Sequence, residues 1–204
     1  MKEAVCLVGA GGHARSLIKL LEGGERRISG IYDGSFRSDS HETVGGYPLI
    51  GSTENISNQD LLVLAVGDNV KRGALFRNFS PNILKETLLH RCAHVESDVQ
   101  LGMSNQLFGH TFLNAEASLG DNNIINTGAI IEHECRVGSH NHISVGAVLC
   151  GRVTLGDFCM IGAGTVIIDK IKVCSHVIVG ANSTVIHDIV DPGTYVGSPA
   201  RRIS

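Results

Sequence analysis

An aliphatic residue recurs at every sixth position through the second half of the chain. Counting in steps of six, sixteen consecutive positions hold Val, Ile or Leu: Val95, Leu101, Leu107, Leu113, Leu119, Ile125, Ile131, Val137, Ile143, Leu149, Leu155, Ile161, Ile167, Val173, Val179 and Val185. These three residue types fill 56 of 204 positions, so such a run arises by chance with odds on the order of 10⁻⁹. Six residues are too few for a helical unit and suit a short strand followed by a corner. The pattern therefore predicts a β-solenoid whose aliphatic column fills the interior.

Glycines recur every eighteen residues within this repeat. Gly102, Gly120, Gly138 and Gly156 each follow an aliphatic of the column directly. Three hexads therefore make one coil of a three-sided prism, and about five coils stack at roughly 4.7–4.9 Å between residues 95 and 190. We expect these glycines to relieve the strain of sharp bends at the corners of the prism.

The first ninety residues predict a small α/β domain with a Rossmann-like parallel sheet. Strands are expected over 4–9, 28–33 and 61–67, with a helix over 14–21 that stops at Gly23-Gly24 and a second helix capped by Asn69 and ending near Asn78. The sequence thus divides into a nucleotide-binding domain over 1–90 and a solenoid domain over 91–204.

A glycine-rich turn, GAGGHA at 9–14, joins the first predicted strand to the first helix. Glycines there allow backbone N–H groups at the helix N-terminus to approach a phosphate. Asp33 follows about 20 residues later, where a ribose-binding acid would lie. A domain of this size has room for one mononucleotide, so a nucleotide that carries a sugar is favoured over NAD. A purely structural glycine turn is the third interpretation.

The eighteen-residue coil predicts which corner residues stack on one another. One column holds Ala115, His133, Gly151 and Asp169, and its neighbour holds Glu116, Glu134, Arg152 and Lys170. His133 stands just past a corner and is expected to face outward, beside the bare backbone of Gly151. Such a notch would admit a slender acyl carrier. Glu134 has two interpretations: it orients His133 across the corner, or it forms an ion pair with Arg152.

A second histidine, His142, lies nine residues after His133, which is half a coil. Within one subunit the two side chains must lie on different sides of the prism, on the order of 15 Å apart. They meet only if a neighbouring chain supplies one of them, as in a trimer packed around a threefold axis. If both histidines matter, the site lies between subunits.

Composition and charge exclude several classes of function. The net charge is −3, so the chain has no excess of basic residues to attract nucleic acid. The longest apolar run, 61–66, is too short to span a membrane. The opening segment lacks a signal-peptide pattern and the six cysteines form no CxxC pair, which favours a cytoplasmic protein with reduced thiols. Cys135 falls in an inward column, so a covalent acyl-cysteine intermediate is disfavoured.

Several motifs give the whole chain a family resemblance. They are the glycine-rich turn with its histidine, Asp33, VGDN (66–69), NTGAIIEHECRVG (126–138), HISVGA (142–147), IGAG (161–164), VGAN (179–182) and VGSPAR (196–201). In these the chain resembles the hexapeptide-repeat acyltransferases, in particular the nucleotide-aminosugar N-acetyltransferases related to sialic acid O-acetyltransferases. The resemblance implies that the solenoid is a left-handed parallel β-helix.

The resemblance also implies the chemistry and the site. It makes the protein an enzyme that moves the acetyl group of acetyl-CoA to the amino group of a nucleotide-linked amino-deoxysugar, as a homotrimer and with no metal. The implied general base is His133, supported by Glu134. The implied acetyl-CoA groove holds His142, Gly151, Ala163 and Ala181, and the implied nucleotide-sugar site holds Gly11, Gly12, His13, Asp33 and Gly67.

Three other functions remain open at the level of sequence. The nearest is O-acetylation of sialic acid or a related sugar hydroxyl, for which the same base would serve. The other two are a zinc-dependent lyase with histidine ligands between subunits and a non-catalytic scaffold. For the amino sugar itself, the resemblance suggests UDP-4-amino-4,6-dideoxy-N-acetylglucosamine.

Overall fold

A computed structural model describes residues 3–24, 26–39 and 41–204. The chain divides between Lys85 and Glu86 into two compact units. The division falls slightly before the boundary expected after residue 90, because a strand at Leu88–Leu89 already pairs with Gln106–Leu107 of the solenoid. In the part of the chain described, no helix is both long and apolar enough to cross a membrane.

The N-terminal unit is an α/β domain around a five-stranded sheet. Its strands are β1 (Val5–Val8), β2 (Ile28–Tyr32), β3 (Thr43–Val44), β4 (Tyr47–Gly51) and β5 (Leu62–Leu64), and its helices are α1 (Gly12–Glu22) and α2 (Asn69–Asn78), with 3₁₀ turns at Thr53–Asn55 and Ser80–Asn82. The sheet order is β3-β4-β2-β1-β5. Every neighbouring pair is parallel except β3 and β4.

Local sequence explains these elements and corrects one expectation. All four residues of β1 are buried, as in a strand covered on both faces, and α1 turns its apolar stripe inward. The cap of α2, however, is Asp68 rather than Asn69, since the Asp68 carboxylate accepts from the backbone N–H of Lys71 at 2.8 Å. Asn69 is the first helical residue and is itself buried.

The C-terminal unit is a parallel β-solenoid with three faces. The first face contains β6 (Leu88–Leu89), β9 (Gln106–Leu107), β12 (Ile124–Ile125), β15 (His142–Ile143), β18 (Met160–Ile161), β21 (Val177–Val179), β23 (Gly193–Val196) and β24 (Arg201–Arg202). The second face contains β7 (His94–Val95), β10 (Phe112–Leu113), β13 (Ile130–Ile131), β16 (Val148–Leu149), β19 (Val166–Ile167) and β22 (Thr184–Val185). The third face contains β8 (Gln100–Leu101), β11 (Ser118–Leu119), β14 (Arg136–Val137), β17 (Thr154–Leu155) and β20 (Lys172–Val173). Each strand from β7 to β19 pairs in parallel with the strand eighteen residues later, which confirms the coil length.

The aliphatic column fills the prism as expected. From Leu107 to Val185 every member of the column is buried, and together they form one continuous core. A second inward column, two residues before the first, is smaller and partly polar. It contains Asn105, Asn123 and Asn141, all fully buried.

These three asparagines form a hydrogen-bonded ladder inside the column. The Asn123 backbone N–H donates to the Asn105 side-chain oxygen at 2.9 Å, and the Asn141 N–H donates to the Asn123 oxygen at 2.8 Å. The Asn123 amide nitrogen donates to the carbonyls of Gly120 and Gly138, in two successive coils. Each buried amide therefore ties one coil to the next.

The corners are built differently from the expectation. Every sixth residue from Ser104 to Asn182 has a positive φ, including Glu134 (58°) and Lys170 (66°); the only glycines among these fourteen positions are Gly128, Gly146 and Gly164. The recurrent glycines at 102, 120, 138 and 156 are absent from this positive-φ set. The expectation that they relieve bend strain is therefore wrong.

These glycines are needed instead where two coils approach closely. A Cβ on Gly138 would lie 2.9 Å from the backbone carbonyl atoms of Gly156, which real Cβ atoms do not tolerate. At the same corner the Ser139 N–H donates to the Asp157 carboxylate at 2.6 Å, and the Asp157 N–H donates to the Ser175 hydroxyl at 2.9 Å. Bare glycine leaves room for this side-chain ladder on the neighbouring position.

Candidate active site

His133 lies at the corner that follows β13, on the outside of the prism. Its side chain is 45% exposed, so the imidazole is outside the hydrophobic filling. Its backbone carbonyl accepts from the N–H of Arg152 in the next coil at 2.9 Å. The regular stacking of the coils therefore fixes the backbone from which the imidazole projects.

Glu134 lies beside this imidazole. Its Oε2 is 3.0 Å from the His133 Nδ1. Successive side chains of a strand point to opposite faces, but the positive φ of Glu134 turns the chain and brings the two side chains together. Since a carboxylate only accepts hydrogen bonds, the hydrogen is on Nδ1 and the lone pair is on Nε2. The arrangement gives Nε2 the proton-accepting role.

Gly151 makes room for the ring of His133. A Cβ on Gly151 would lie 2.6 Å from both Cε1 and Nε2 of that imidazole. The notch expected from the sequence is therefore partly filled by the imidazole itself, with the base atom above the glycine backbone. The missing side chain of Gly151 is thus what allows the His133 ring to take this position.

Arg152 binds Asp169 in the next coil. Its guanidinium donates from Nη2 to both carboxylate oxygens of Asp169, at 3.0 and 2.8 Å. Arg152 therefore forms its ion pair with Asp169, not with Glu134 as the second interpretation of Glu134 expected. Glu134 contacts His133 instead.

Two residues that the sequence analysis did not single out as site residues lie next to this pair. Glu132 Oε2 accepts from the Asn114 side-chain amide at 2.7 Å and from the His133 backbone N–H at 3.4 Å. The Asn114 amide oxygen in turn accepts from the Ala115 N–H at 2.8 Å. The only signal in the sequence was the position of Asn114 one coil before Glu132.

The predicted acetyl-CoA residues lie at other places on the solenoid. His142 is on β15, in a different sheet from β13, so one subunit holds His133 and His142 on different faces. Its Nε2 is 3.2 Å from the Asn126 side-chain nitrogen, and the Asn126 oxygen accepts from the Thr127 N–H at 2.8 Å. The remaining two residues of the groove, Ala163 and Ala181, are exposed and stack eighteen residues apart at the corner after the strands of the His142 sheet.

The glycine-rich turn leaves the start of α1 open. Gly11 is the N-cap and makes no side-chain capping bond, and the first turn of α1 carries no acidic residue. Both Gly11 and Gly12 are exposed, and nothing lies within 4 Å of a Cβ built on either. A cap without a carboxylate leaves helix N–H groups available to an anion.

Asp33 holds this turn from the end of β2. Its Oδ2 accepts from the Ala10 N–H at 2.7 Å, and its Oδ1 accepts from the Ser35 N–H and hydroxyl at 2.8 and 2.7 Å. Partial burial opposes ionisation, but the bonds from Ser35 and Ala10 outweigh it and lower the pKa of Asp33. The carboxylate predicted to bind ribose is thus also a structural support of the turn.

His13 and Gly67 approach each other within the same unit. His13 is half-buried in the first turn of α1. A Cβ on Gly67 would lie 3.8 Å from the His13 Cβ. All five residues predicted to hold the nucleotide sugar therefore lie after the carboxyl ends of β1, β2 and β5, either on the turns there or in the first turn of α1.

Thiol and metal chemistry have no geometry to support them in this part of the molecule. Cys135 is fully buried in the same inward column that contains Ala129 and Ala147, and burial raises its pKa to about 11. Its Sγ donates to the Cys150 carbonyl at 3.1 Å. Across residues 3–24, 26–39 and 41–204, no group of three or more His, Cys, Asp or Glu side chains is arranged to hold a metal ion.

Comparison with known proteins adds a family and solved structures. Residues 4–79 match the family described as the PglD N-terminal domain. The acetyltransferase domain of PglB from Neisseria gonorrhoeae is 29% identical with a TM-score of 0.89, over 99% of this chain and 100% of that chain. PerB from Caulobacter crescentus, solved with CoA and GDP-perosamine, is 29% identical with a TM-score of 0.90, over 100% of this chain and 99% of that chain. None of the curated proteins compared matches the sequence.

A more distant structure extends the likeness in fold alone. WeeI from Acinetobacter baumannii is 16% identical with a TM-score of 0.69, over 98% of this chain and 99% of that chain. The match to the PglD N-terminal domain family and the PglB and PerB structures confirm the resemblance inferred from the sequence. The chain is similar to the nucleotide-aminosugar N-acetyltransferases that join a PglD-type N-terminal domain to a left-handed hexapeptide-repeat β-helix.

Proposed function

We propose that this protein is an acetyl-CoA-dependent N-acetyltransferase that acts on the amino group of a nucleotide-linked amino-deoxysugar. The observation that carries the proposal is the corner at His133. There an outward imidazole donates from Nδ1 to Glu134, with Nε2 above Gly151. The same whole-chain fold occurs in the PglB domain, solved with acetyl-CoA, and in PerB, solved with CoA and an aminosugar nucleotide.

The chemical step is direct transfer. The sugar amine attacks the thioester carbon while His133 Nε2 takes the proton that the amine loses, and CoA leaves as the thiolate. Glu134 holds the ring in the reactive tautomer and stabilises the imidazolium that forms. An amine is a fair nucleophile, so no covalent enzyme intermediate is needed, and much of the acceleration comes from holding two substrates in one cleft.

Two sets of residues bind the substrates in this proposal. The turns with Gly11, Gly12, His13, Asp33 and Gly67 hold the nucleotide sugar, with the open start of α1 facing its diphosphate. The acetyl-CoA groove follows the solenoid past His142, Gly151, Ala163 and Ala181. Support comes from the exposure of Gly11, Gly12, Ala163 and Ala181 and from the uncapped start of α1.

The working unit is a homotrimer with the site between subunits. His133 and His142 project from different faces of one prism, so a neighbouring chain supplies the second histidine. The face that contains β13 carries apolar outward residues in four successive coils, at Phe112, Ile130, Val148 and Val166. Burying such a stripe against sister chains is favourable.

For the acceptor we propose UDP-4-amino-4,6-dideoxy-N-acetylglucosamine. The test measures CoA release with this sugar, with GDP-perosamine and with sialic acid. Turnover with an aminosugar nucleotide supports N-acetylation and identifies the base that the nucleotide carries. Turnover with sialic acid alone would show that the protein is a sugar O-acetyltransferase instead. A protein that binds neither CoA nor any sugar nucleotide would be a non-catalytic scaffold.

The role of His133 has its own test. Replacing His133 by Ala should lower kcat by about 10² to 10⁴, with the Kd for CoA within threefold of wild type as the check on folding. Near-normal turnover of His133→Ala would remove the imidazole from the mechanism.

A further inference from the structure

One charged side chain of the N-terminal unit is fully buried. Arg72, in α2, is fully buried and is the largest of the fully buried side chains described. Arginine almost never occupies such a position unless polar groups surround its guanidinium. The buried residues of α2 are Asn69, Arg72 and Gly73, so two of the side chains that this helix buries are polar.

The guanidinium binds the turn between β5 and α2. Its Nη1 donates to the carbonyls of Val66 and Gly67, both at 3.2 Å, and its Nη2 donates to the Asn69 side-chain oxygen at 2.8 Å. Burial lowers the pKa of Arg72 to about 10, which still leaves the group charged at neutral pH. One rigid fork thus fixes two consecutive peptide carbonyls and the first residue of the helix.

The same turn packs against the glycine-rich turn before α1. A Cβ on Gly9 would lie 2.8 Å from Val66 Cγ2, and a Cβ on Gly67 would lie 3.8 Å from the His13 Cβ. The Ala65 N–H donates to the Val8 carbonyl at 2.8 Å. Movement of Val66 and Gly67 is therefore transmitted to the residues around the open start of α1.

Carbonyl direction matters at an anion site. A carbonyl oxygen repels a phosphate, whereas a backbone N–H attracts it. With the carbonyls of Val66 and Gly67 bound to a guanidinium, neither oxygen is free to turn toward a bound diphosphate. Lysine presents three donors from one point and cannot span two carbonyls and an amide in this fixed geometry.

We propose that Arg72 is a positioning residue for the nucleotide sugar: it holds the Val66–Gly67 turn in the conformation that accepts the diphosphate beside Gly11 and Gly12. This role rests on the proposed function, since it assigns the nucleotide to these turns. Arg72 itself does not touch the substrate, and its effect is confined to the N-terminal unit.

The first experiment compares Arg72→Lys and Arg72→Met with Arg77→Met, which removes an exposed arginine of the same helix. We expect the two Arg72 variants to raise KM for the sugar nucleotide by about tenfold or more, since hydrogen bonds from a charged group are lost. The KM for acetyl-CoA and the kcat at saturation should stay within threefold of wild type. Arg77→Met should change none of these constants. An equal rise in both KM values, or no rise in folded Arg72 variants, would overturn the proposal.

A milder variant covers the case in which the Arg72 variants do not fold. Asn69→Ala removes the side-chain acceptor of Nη2, and we expect a rise in the sugar-nucleotide KM of about threefold, in the same direction. An unchanged KM in folded Asn69→Ala, with the Arg72 variants unfolded, counts against the positioning role.

A readout without catalysis separates this proposal from the proposed function. Amide hydrogen exchange in the absence of substrates should become faster at residues 66–69 and 11–13 in Arg72→Lys, and stay unchanged in the solenoid. If exchange responds in this way while wild type binds no sugar nucleotide, the proposed function fails and the contact stands only as architecture. If exchange at 66–69 is unaltered, the positioning role is refuted whatever the substrate.

Discussion

The reactivity of His133 depends on what its two neighbours offer. Glu134 offers an acceptor, which leaves the lone pair on Nε2. Gly151 offers space, since any Cβ there would overlap the imidazole. The spacing of the repeat was enough to place His133 outward and Gly151 one coil above it. It could not show that the imidazole folds over the glycine, because that depends on a rotamer rather than on a period.

Gly151→Ala should therefore impair catalysis more than stability. The backbone at Gly151 lies outside the left-handed region, so the chain tolerates alanine while the new methyl pushes the imidazole aside. We expect kcat to fall about 10- to 100-fold, as a displacement of this size does for a proton acceptor. Steady-state kinetics measures the loss, and thermal unfolding checks the fold.

Two comparisons make the result specific to His133. Gly109→Ala is the matched control, because its Cβ would also approach a histidine ring, that of His90 at 3.3 Å; kcat should stay within twofold. In a His133→Ala background, Gly151→Ala should cost little more. Full additivity of the two losses would mean that the glycine acts independently of the imidazole.

The buried cysteines are predicted to be chemically unreactive and not to take part in catalysis. Burial raises the pKa of Cys135 and of Cys159 to about 11, so neither forms a nucleophilic thiolate at neutral pH. Iodoacetamide should modify the exposed Cys92 first and leave Cys135 intact in the folded protein, as read by mass spectrometry. Cys135→Ala should retain at least half of the wild-type kcat, whereas an acetyl-cysteine pathway requires its loss.

The same two thiols set a pH dependence of stability. Their folded pKa values lie above the unfolded value of about 8.5, so their contribution is complete below that pH and is lost as the pH rises through about 11. Denaturant unfolding at pH 7 and pH 10.5 should show wild type losing more stability than Cys135→Ala over this interval. Equal losses in both proteins would contradict the assignment.

At the level of the elements, the strands were predictable and the corners were not. Inward positions accept only a narrow class of side chain, so the hexad is visible in the sequence. The left-handed positions carry Glu134, His140, Arg152 and Lys170 among others, and residues of such different chemistry share no recognisable signal. Glycines that do recur at the corners reflect the close approach of coils rather than the bend itself.

Two exposed lysines test this description of a corner. Lys170 has a φ of 66°, while Lys172 faces outward on β20. Valine is strained in the left-handed region but suits a strand. Lys170→Val should lower the free energy of unfolding by about 1–2 kcal/mol, and Lys172→Val should change it by less than about 0.5 kcal/mol. Denaturant titration distinguishes them, and equal effects would show that the corner tolerates either backbone conformation.

For the molecule as a whole, the sequence was sufficient for architecture but not for the polar interior of the N-terminal unit. The sixteen-fold repeat and the continuous apolar run near residues 61–66 predicted a β-solenoid and a parallel sheet, and both are present. Arg72 gave no such signal, since a single arginine in a helix is usually exposed. The guanidinium finds its acceptors only in the folded chain, where the turn after β5 brings the carbonyls of Val66 and Gly67 next to α2.

Assembly can be tested by mixing inactive chains. We expect trimers of His133→Ala and trimers of His142→Ala each to be strongly impaired. Mixed trimers formed at equal proportions should recover activity, since about a quarter of the sites then pair an intact His133 with an intact His142 of a neighbour. Sedimentation establishes the trimer. Absence of recovery in verified mixed trimers would place both histidines of a site in one chain.

The asparagine ladder inside the solenoid has a consequence for how the chain finds its winding. A coil shortened or lengthened by one hexad would set Asn123 beneath Cys135 or Ala147 rather than Asn141. The backbone N–H of either residue could still donate to the Asn123 oxygen, as the Cys159 N–H donates to the Asn141 oxygen, but the three asparagines would no longer stack in one column. Apolar packing alone would accept any of these windings, because every hexad presents an aliphatic. The three stacked asparagines thus mark the eighteen-residue winding, which the aliphatic column by itself leaves unmarked.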